Sequence, residues 1–174
     1  CEVTNVVGDK RVPTTRELNE FGDSNFIRFS RAQVILKKIR KEEHKTFDSL
    51  VSFQRPFGLR TFVKGDETKN SHSIPLYTNK GLRYIDSKEI QQNLESIGQH
   101  KIFISMAYGA GETYPHQIIN KPILAEPGSA CTETYLMVGP FENKKQTKNA
   151  LNYMRTRFFR FCVFLIKNTQ HAAK

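Results

Sequence analysis

Residues 143–167 read NKKQTKNALNYMRTRFFRFCVFLIK. Leu151, Met154, Phe158, Phe161, Cys162 and Leu165 recur at three- and four-residue steps. On a helix of about 3.6 residues per turn they fall along one stripe. Lys144, Lys145, Lys148, Arg155, Arg157 and Arg160 occupy the other faces, and the stretch contains no Asp or Glu. The pattern predicts a long C-terminal helix with one side buried and the other strongly positive. The ordinary fate of such a helix is a core contact with a solvated basic face. A solvated helix, however, usually mixes signs to gain i,i+4 pairs. The absence of acids therefore favours a helix that braces a core while lending charge to a polyanion-binding surface.

The whole chain shares this bias. Its 174 residues hold 27 Lys and Arg against 17 Asp and Glu, a net charge of +10. A basic balance of this size suits nucleic acid or an acidic surface and says nothing of fold. The length predicts one folding unit with a real core. Cys1, Cys131 and Cys162 are odd in number and form no CxxC pair, which supports neither a zinc knuckle nor a disulfide framework and suits a reducing cytoplasm. No apolar run reaches membrane-spanning length, because Arg160 interrupts the longest. The chain opens at Cys1 without Met and without a signal peptide, and is expected to be a piece of something longer.

Working back from the C-terminus, the remaining signals are short. Cys1 to Val7 reads as an edge strand, and Gly8 to Asp23 as a polar connector. Ser30 is expected to cap a basic helix over 31–43, with Phe29 as a staple, Val34, Ile35 and Ile39 as its apolar side and a fraying end at Glu42 and Glu43. Leu50-Val51 reads as a strand, Arg55 to Gly58 as a turn, and Leu59 to Val63 as extended chain. Ile74–Tyr77 and Arg83–Asp86 form a hairpin about Asn79-Lys80-Gly81. Ser87 is expected to cap a small helix closed by Gly98. Lys101–Met106 is a buried strand, followed by short strands at 117–119, 123–125 and 134–138, with Gly139-Pro140 ending the sheet. The fold class is α+β, with several short, mostly antiparallel strands, an N-terminal helix, a small inserted helix and a long C-terminal helix.

No catalytic constellation emerges. Tyr108-Gly109-Ala110-Gly111 follows a strand but opens no helix, unlike a cofactor turn. Glu43-His44-Lys45 and Glu67-Thr68-Lys69 echo half of a nuclease metal site, yet neither lies on a strand with a second acid opposite. His100, His116 and His171 lack ligand spacing, and Cys131 has no base beside it, as a small buried thiol would not. What remains is cations and aromatics on turns: Arg55, Phe57, Arg60 and Lys64 in one group, and Tyr77, Lys80, Arg83 and Tyr84 in another. Phosphates need cations, and bases need forked donors, amides or flat stacking partners. The ordinary alternative for each such residue is a solvated surface.

Five segments carry a resemblance: LVSFQRPFGLRTFVKG at 50–65, IPLYTNKGLRYIDSKEI at 74–90, HKIFISMAYGAG at 100–111, KPILAEPGSACTETYLMVGPF at 121–141 and NYMRTRFFRFCVFLIKNTQ at 152–170. In order and spacing they are similar to the C-terminal region of adenine-specific DNA methyltransferases of restriction–modification systems. CEVTNVV resembles the stretch that follows the methyltransferase sheet there. YTNKGLRYID and the terminal helix also resemble target-recognition domains of type I specificity subunits. Such enzymes flip an adenine and methylate its N6 from S-adenosylmethionine. They use an Asn/Asp-Pro-Pro-aromatic motif and a Gly-rich cofactor strand. This sequence holds neither, and Asn120-Lys121-Pro122 is not that motif. The resemblance implies that residues 1–25 connect to an upstream catalytic domain that binds S-adenosylmethionine, and that 26–174 read double-stranded DNA with no cofactor or metal of their own.

Arg55, Arg60, Arg83, Arg155, Arg157 and Arg160 are expected to contact DNA or the catalytic domain, and Lys64, Lys80 and Tyr84 to contact DNA. Thr132 and Glu133 are expected to accept from cytosine or adenine amino groups. Two other readings stay open. One is a self-contained magnesium-dependent nuclease using Asp66, Glu67 and Lys69. The other is a protein-interaction module whose basic helices dock an acidic partner or the parent enzyme.

Overall fold

Two apolar strands set the central layer. In β5 (His100–Ser105), Ile102 and Ile104 face one side and Phe103 the other; in β8 (Tyr135–Phe141), Leu136 and Val138 share the first side and Met137 the second. A strand buried on both faces shows no polar alternation, which is why Ile102, Phe103 and Ile104 read as an unbroken apolar run. The computed structural model describes residues 1–18, 26–39, 46–109, 118–167 and 171. Within these, β5 lies between β6 (Ile123–Ala125) and β8, antiparallel to both.

A second sheet covers the Phe103 face. Here β3 (Ser73–Thr78) pairs antiparallel with β4 (Gly81–Asp86) and parallel with β7 (Ala130–Cys131). Phe57, Leu76, Ile85, Phe103 and Met137 fill the space between the sheets. Phe103 meets Tyr77 at 5.2 Å and Phe57 at 6.3 Å, both edge-on, as ring quadrupoles prefer. The other face of the central sheet carries helices, with Leu151, Met154 and Phe159 against Ile102, Ile104, Leu136 and Val138. The protein is α+β, with a layer order of sheet, sheet, helices.

The C-terminal helix differs from its expected form, because it is two helices. Asn143 caps α2 (Lys144–Arg155), its side chain accepting from Gln146 N–H at 3.0 Å. At Thr156 the backbone turns extended (φ −66°, ψ 150°) before α3 (Arg157–Ile166). The Thr156 hydroxyl donates to the Tyr153 carbonyl at 2.7 Å and accepts from Phe159 N–H at 3.1 Å. One residue thus closes the first helix and opens the second. The extended step resets the helical phase, so Leu151 and Met154 are buried but Phe159, not Phe158, is the next core residue. Phe47 fills the joint, 5.8 Å from the Tyr153 ring and 4.8 Å from that of Phe159.

The first helix, α1 (Ala32–Ile39), turns the opposite side inward from that expected. Ala32, Gln33 and Leu36 are buried, Ala32 and Leu36 in a cluster with Ile27 and Leu165, while Val34 is 61% exposed and Ile35 and Ile39 also face out. Phe29 stacks on Phe164 at 5.2 Å, which fixes α1 against α3 through its N-terminal end. Ser30 is not the expected side-chain cap. Its carbonyl accepts from Gln33 N–H, but its buried hydroxyl has no partner. The expected fraying end at Glu42 and Glu43 lies outside the described residues.

The expected connector after Gly8 is partly a strand: β2 (Lys10–Thr15) pairs with β1 (Glu2–Val7). Asn5 anchors the hairpin, donating to the Arg28 carbonyl and accepting from Ser30 N–H. Arg16 adds a donor to the Ile27 carbonyl and stacks on Phe26. The small inserted helix is instead two 3-10 turns, Ser87–Glu89 and Leu94–Ser96, and Asp86 rather than Ser87 caps the first. Phe47–Leu50 is likewise a 3-10 turn, with Val51 making a lone bridge to Val138. Ile118 and Ile119 form no strand, and β8 continues through the Gly139-Pro140 cis peptide to Phe141. Among the described residues no helix is long and apolar enough to cross a membrane.

Candidate nucleic-acid interface

The loop from 52 to 63 starts where Ser52 is fastened to β8. Ser52 N–H donates to the Met137 carbonyl at 2.8 Å, and Met137 N–H donates to Ser52 Oγ at 2.9 Å. The chain then dives so that Phe57 is wholly buried between the sheets. It rises through Leu59, whose carbonyl accepts from Glu133 N–H at 2.8 Å. Thr61 returns the contact, donating to Glu133 Oε1 from its N–H at 3.0 Å and its hydroxyl at 3.3 Å. Expected extended chain at 59–63 is a turn, closed by Val63 N–H on the Arg60 carbonyl at 3.1 Å.

Within this fastened loop Arg55 takes the left-handed region (φ 58°), which costs a non-glycine residue about 1–2 kcal/mol. Its Nε lies 3.8 Å from Glu133 Oε2. Arg55 also lines a shallow polar depression of about 300 Å³ with Gln54, Gly58 and Gln92. Arg60 and Lys64 follow, both exposed. Phe57, grouped with these cations in the sequence, is core and unavailable for stacking. The aromatic rings that do stand out are Phe53 and Phe62, 94% and 75% exposed. Sequence reasoning missed both. Three phenylalanines in a dozen residues carry no periodicity that tells which one turns inward.

The same loop joins the second cluster. Asp66 and Tyr84 exchange backbone hydrogen bonds at 2.7 and 2.9 Å, so Asp66 extends the outer edge of β4. Gly65 makes this approach possible. Its φ is +62°, and a Cβ there would sit 2.7 Å from the Tyr84 carbonyl oxygen. Arg83 pairs with Glu67 at 3.2 Å. Arg55, Arg60 and Lys64 therefore belong to one run of chain that ends hydrogen-bonded beside Arg83 and Tyr84. Lys80 stands exposed at the tip of the β3–β4 hairpin.

Other expected contacts lie elsewhere. Thr132 is a correction: it is 0% exposed, with its hydroxyl on Thr134 Oγ1 at 3.1 Å and its N–H on the Tyr77 carbonyl, so it reaches no base edge. Glu133 uses its carboxylate to brace the loop rather than standing free as a base acceptor. Arg155 and Arg157 are exposed at the α2–α3 joint, and half-buried Arg160 donates to the Ile119 carbonyl at 3.4 Å. That joint belongs to the helical layer, across the central sheet from the loop.

In β5, Lys101 is buried and donates to the carbonyls of Ser96, Ile97 and Gln99 at 2.9, 2.8 and 3.1 Å. Burial pushes its ammonium down to about 8, opposed by the Cys131 thiol. Burial likewise holds Cys131 well above the usual thiol range, as befits a packed rather than a reactive cysteine. Of the nuclease candidates, Asp66 is engaged through its backbone and Glu67 with Arg83. Among the described residues no three His, Cys, Asp or Glu gather to hold a metal ion. Glu43-His44-Lys45, Ala110-Gly111 and His116 lie outside the described residues.

Comparison with models of protein families, with curated proteins and with solved structures finds no match.

Proposed function

We propose that this chain is the target-recognition module of an adenine-specific DNA methyltransferase of a restriction–modification system, acting on double-stranded DNA in the cytoplasm. Methylation with S-adenosylmethionine would belong to a catalytic domain of the same polypeptide. The observation that carries the reading is the ledge formed by the loop and the β4 edge. It offers Arg55, Arg60, Lys64 and Arg83 on backbone fixed at Ser52, Leu59, Thr61 and Asp66. Cations on a pre-set scaffold bind phosphates without first ordering a loop. The segment resemblance supplies the enzyme class. Arg155 and Arg157, on the other side of the central sheet, suit the second role expected of them, facing the catalytic domain.

The test is binding of the chain to a randomised duplex pool across a salt series. Affinity should fall steeply between low and physiological salt, and Arg60→Ala with Arg83→Ala should flatten the log–log slope by about 2. No binding at low salt, or a slope indifferent to the double substitution, overturns the proposal.

The outward Val34, Ile35 and Ile39 of α1 favour one addition, a protein contact on that side. A body of the same polypeptide is the partner that the resemblance implies.

A further inference from the structure

We infer that Phe53 and Phe62 are wedges that enter the base stack of bound DNA, a step beyond, and resting on, the duplex-recognition reading above. Two large apolar rings are left exposed on a loop whose third, Phe57, is wholly buried. Each follows directly on a fixed point: Phe53 on Ser52, held to Met137, and Phe62 on Thr61, held to Glu133. Those bonds fix the backbone immediately before each ring.

Their surroundings select the partner. Between Asp48 and Asp66 the chain has no acid, and the carboxylate that does reach the loop, Glu133, is taken up by Thr61 and Arg55, while Arg60 and Lys64 stand exposed two residues to either side of Phe62 in the sequence. A second copy of this surface would bring like charges together. A duplex presents phosphates to the cations and flat apolar faces to the rings. Apolar side chains that enter base steps next to phosphate-binding cations partly unstack the duplex, and every base offers a face to stack on.

The experiment uses the full chain and a randomised duplex pool carrying 5-iododeoxyuridine. Irradiation followed by peptide mass spectrometry locates rings stacked on bases. Crosslinks are expected at Phe53 or Phe62. The Phe53→Ala/Phe62→Ala double variant should lose them and bind the pool about tenfold more weakly, with an unchanged melting temperature because both sites are exposed. Phe53→Tyr/Phe62→Tyr should restore both signals. Salt-dependent binding with crosslinks elsewhere and no loss in the alanine variant overturns the wedge and leaves duplex recognition standing. No salt-dependent binding by the unaltered chain overturns both. Self-association that the alanine variant abolishes assigns the rings to a protein contact and also overturns the wedge.

Discussion

Glu133 holds Thr61 at two points, its Oε1 accepting from the Thr61 N–H and hydroxyl at 3.0 and 3.3 Å, while Oε2 lies 3.8 Å from Arg55 Nε. One carboxylate therefore sets the conformation of the loop that carries the cations. Glu133→Ala should release the turn at 60–63 and speed amide exchange at Thr61. The stability loss should be about 1–2 kcal/mol, since hydrogen bonds to a charged group are worth about 1.5–3 kcal/mol and this one is partly exposed. Glu133→Gln keeps an acceptor and should recover most of the protection. Unchanged exchange at Thr61 in the alanine variant would remove Glu133 from this role.

Gly65→Ala tests the joint between the two halves of the ledge. The left-handed φ and the 2.7 Å approach to the Tyr84 carbonyl leave no room for a methyl group. Denaturant unfolding should show a loss of about 1–3 kcal/mol. Amide protection at Asp66 and Tyr84 should fall together, because they share one pair of hydrogen bonds. Independent behaviour of the two amides would mean that the bridge is not a unit.

Thr156→Ala tests the helix joint. It removes the acceptor for Phe159 N–H and the donor to the Tyr153 carbonyl. Loss of such a cap costs about 0.5–2 kcal/mol. Thr156→Ser should be nearly neutral in the same denaturation experiment.

These positions also mark where the sequence stops being informative. β3, β4, β5 and β8 were legible because apolar runs and an Asn-Lys-Gly turn state their own period. The break at Thr156 was not, because an apolar stripe drawn through it continues without a gap on a helical wheel. The face of α1 was misjudged for a related reason. Val34, Ile35 and Ile39 are more apolar than Gln33, but the neighbour that decides burial is α3, far along the chain. Among the site residues, the cations were legible from charge and turn position. The depth of Thr132 and Phe57, and the exposure of Phe53 and Phe62, depend on contacts with β3, β5 and β8 that no local pattern records.

Lys101 gives a pH test. Its folded-state pKa, about 8, lies below the ordinary lysine value. Between pH 8 and that ordinary value the unfolded chain holds the proton and the folded chain does not, so this group's contribution to stability improves as pH rises through that window. Below it both states are protonated and the contribution is constant. Lys101→Met removes the effect, and also strips donors from three carbonyls, so it should destabilise at neutral pH. The stability difference, native minus Lys101→Met, should grow from pH 8 upward. A flat or falling difference would contradict the depressed value.

The links from Ser52 to Met137 and from Glu133 to Leu59 include amide–carbonyl bonds that no side-chain exchange at 53, 54, 60 or 62 would disturb. Those positions are thus free to vary while the protein keeps its shape. Natural drift or laboratory evolution can rewrite the outer letters of this loop one at a time, and each intermediate remains a folded protein on which selection can act.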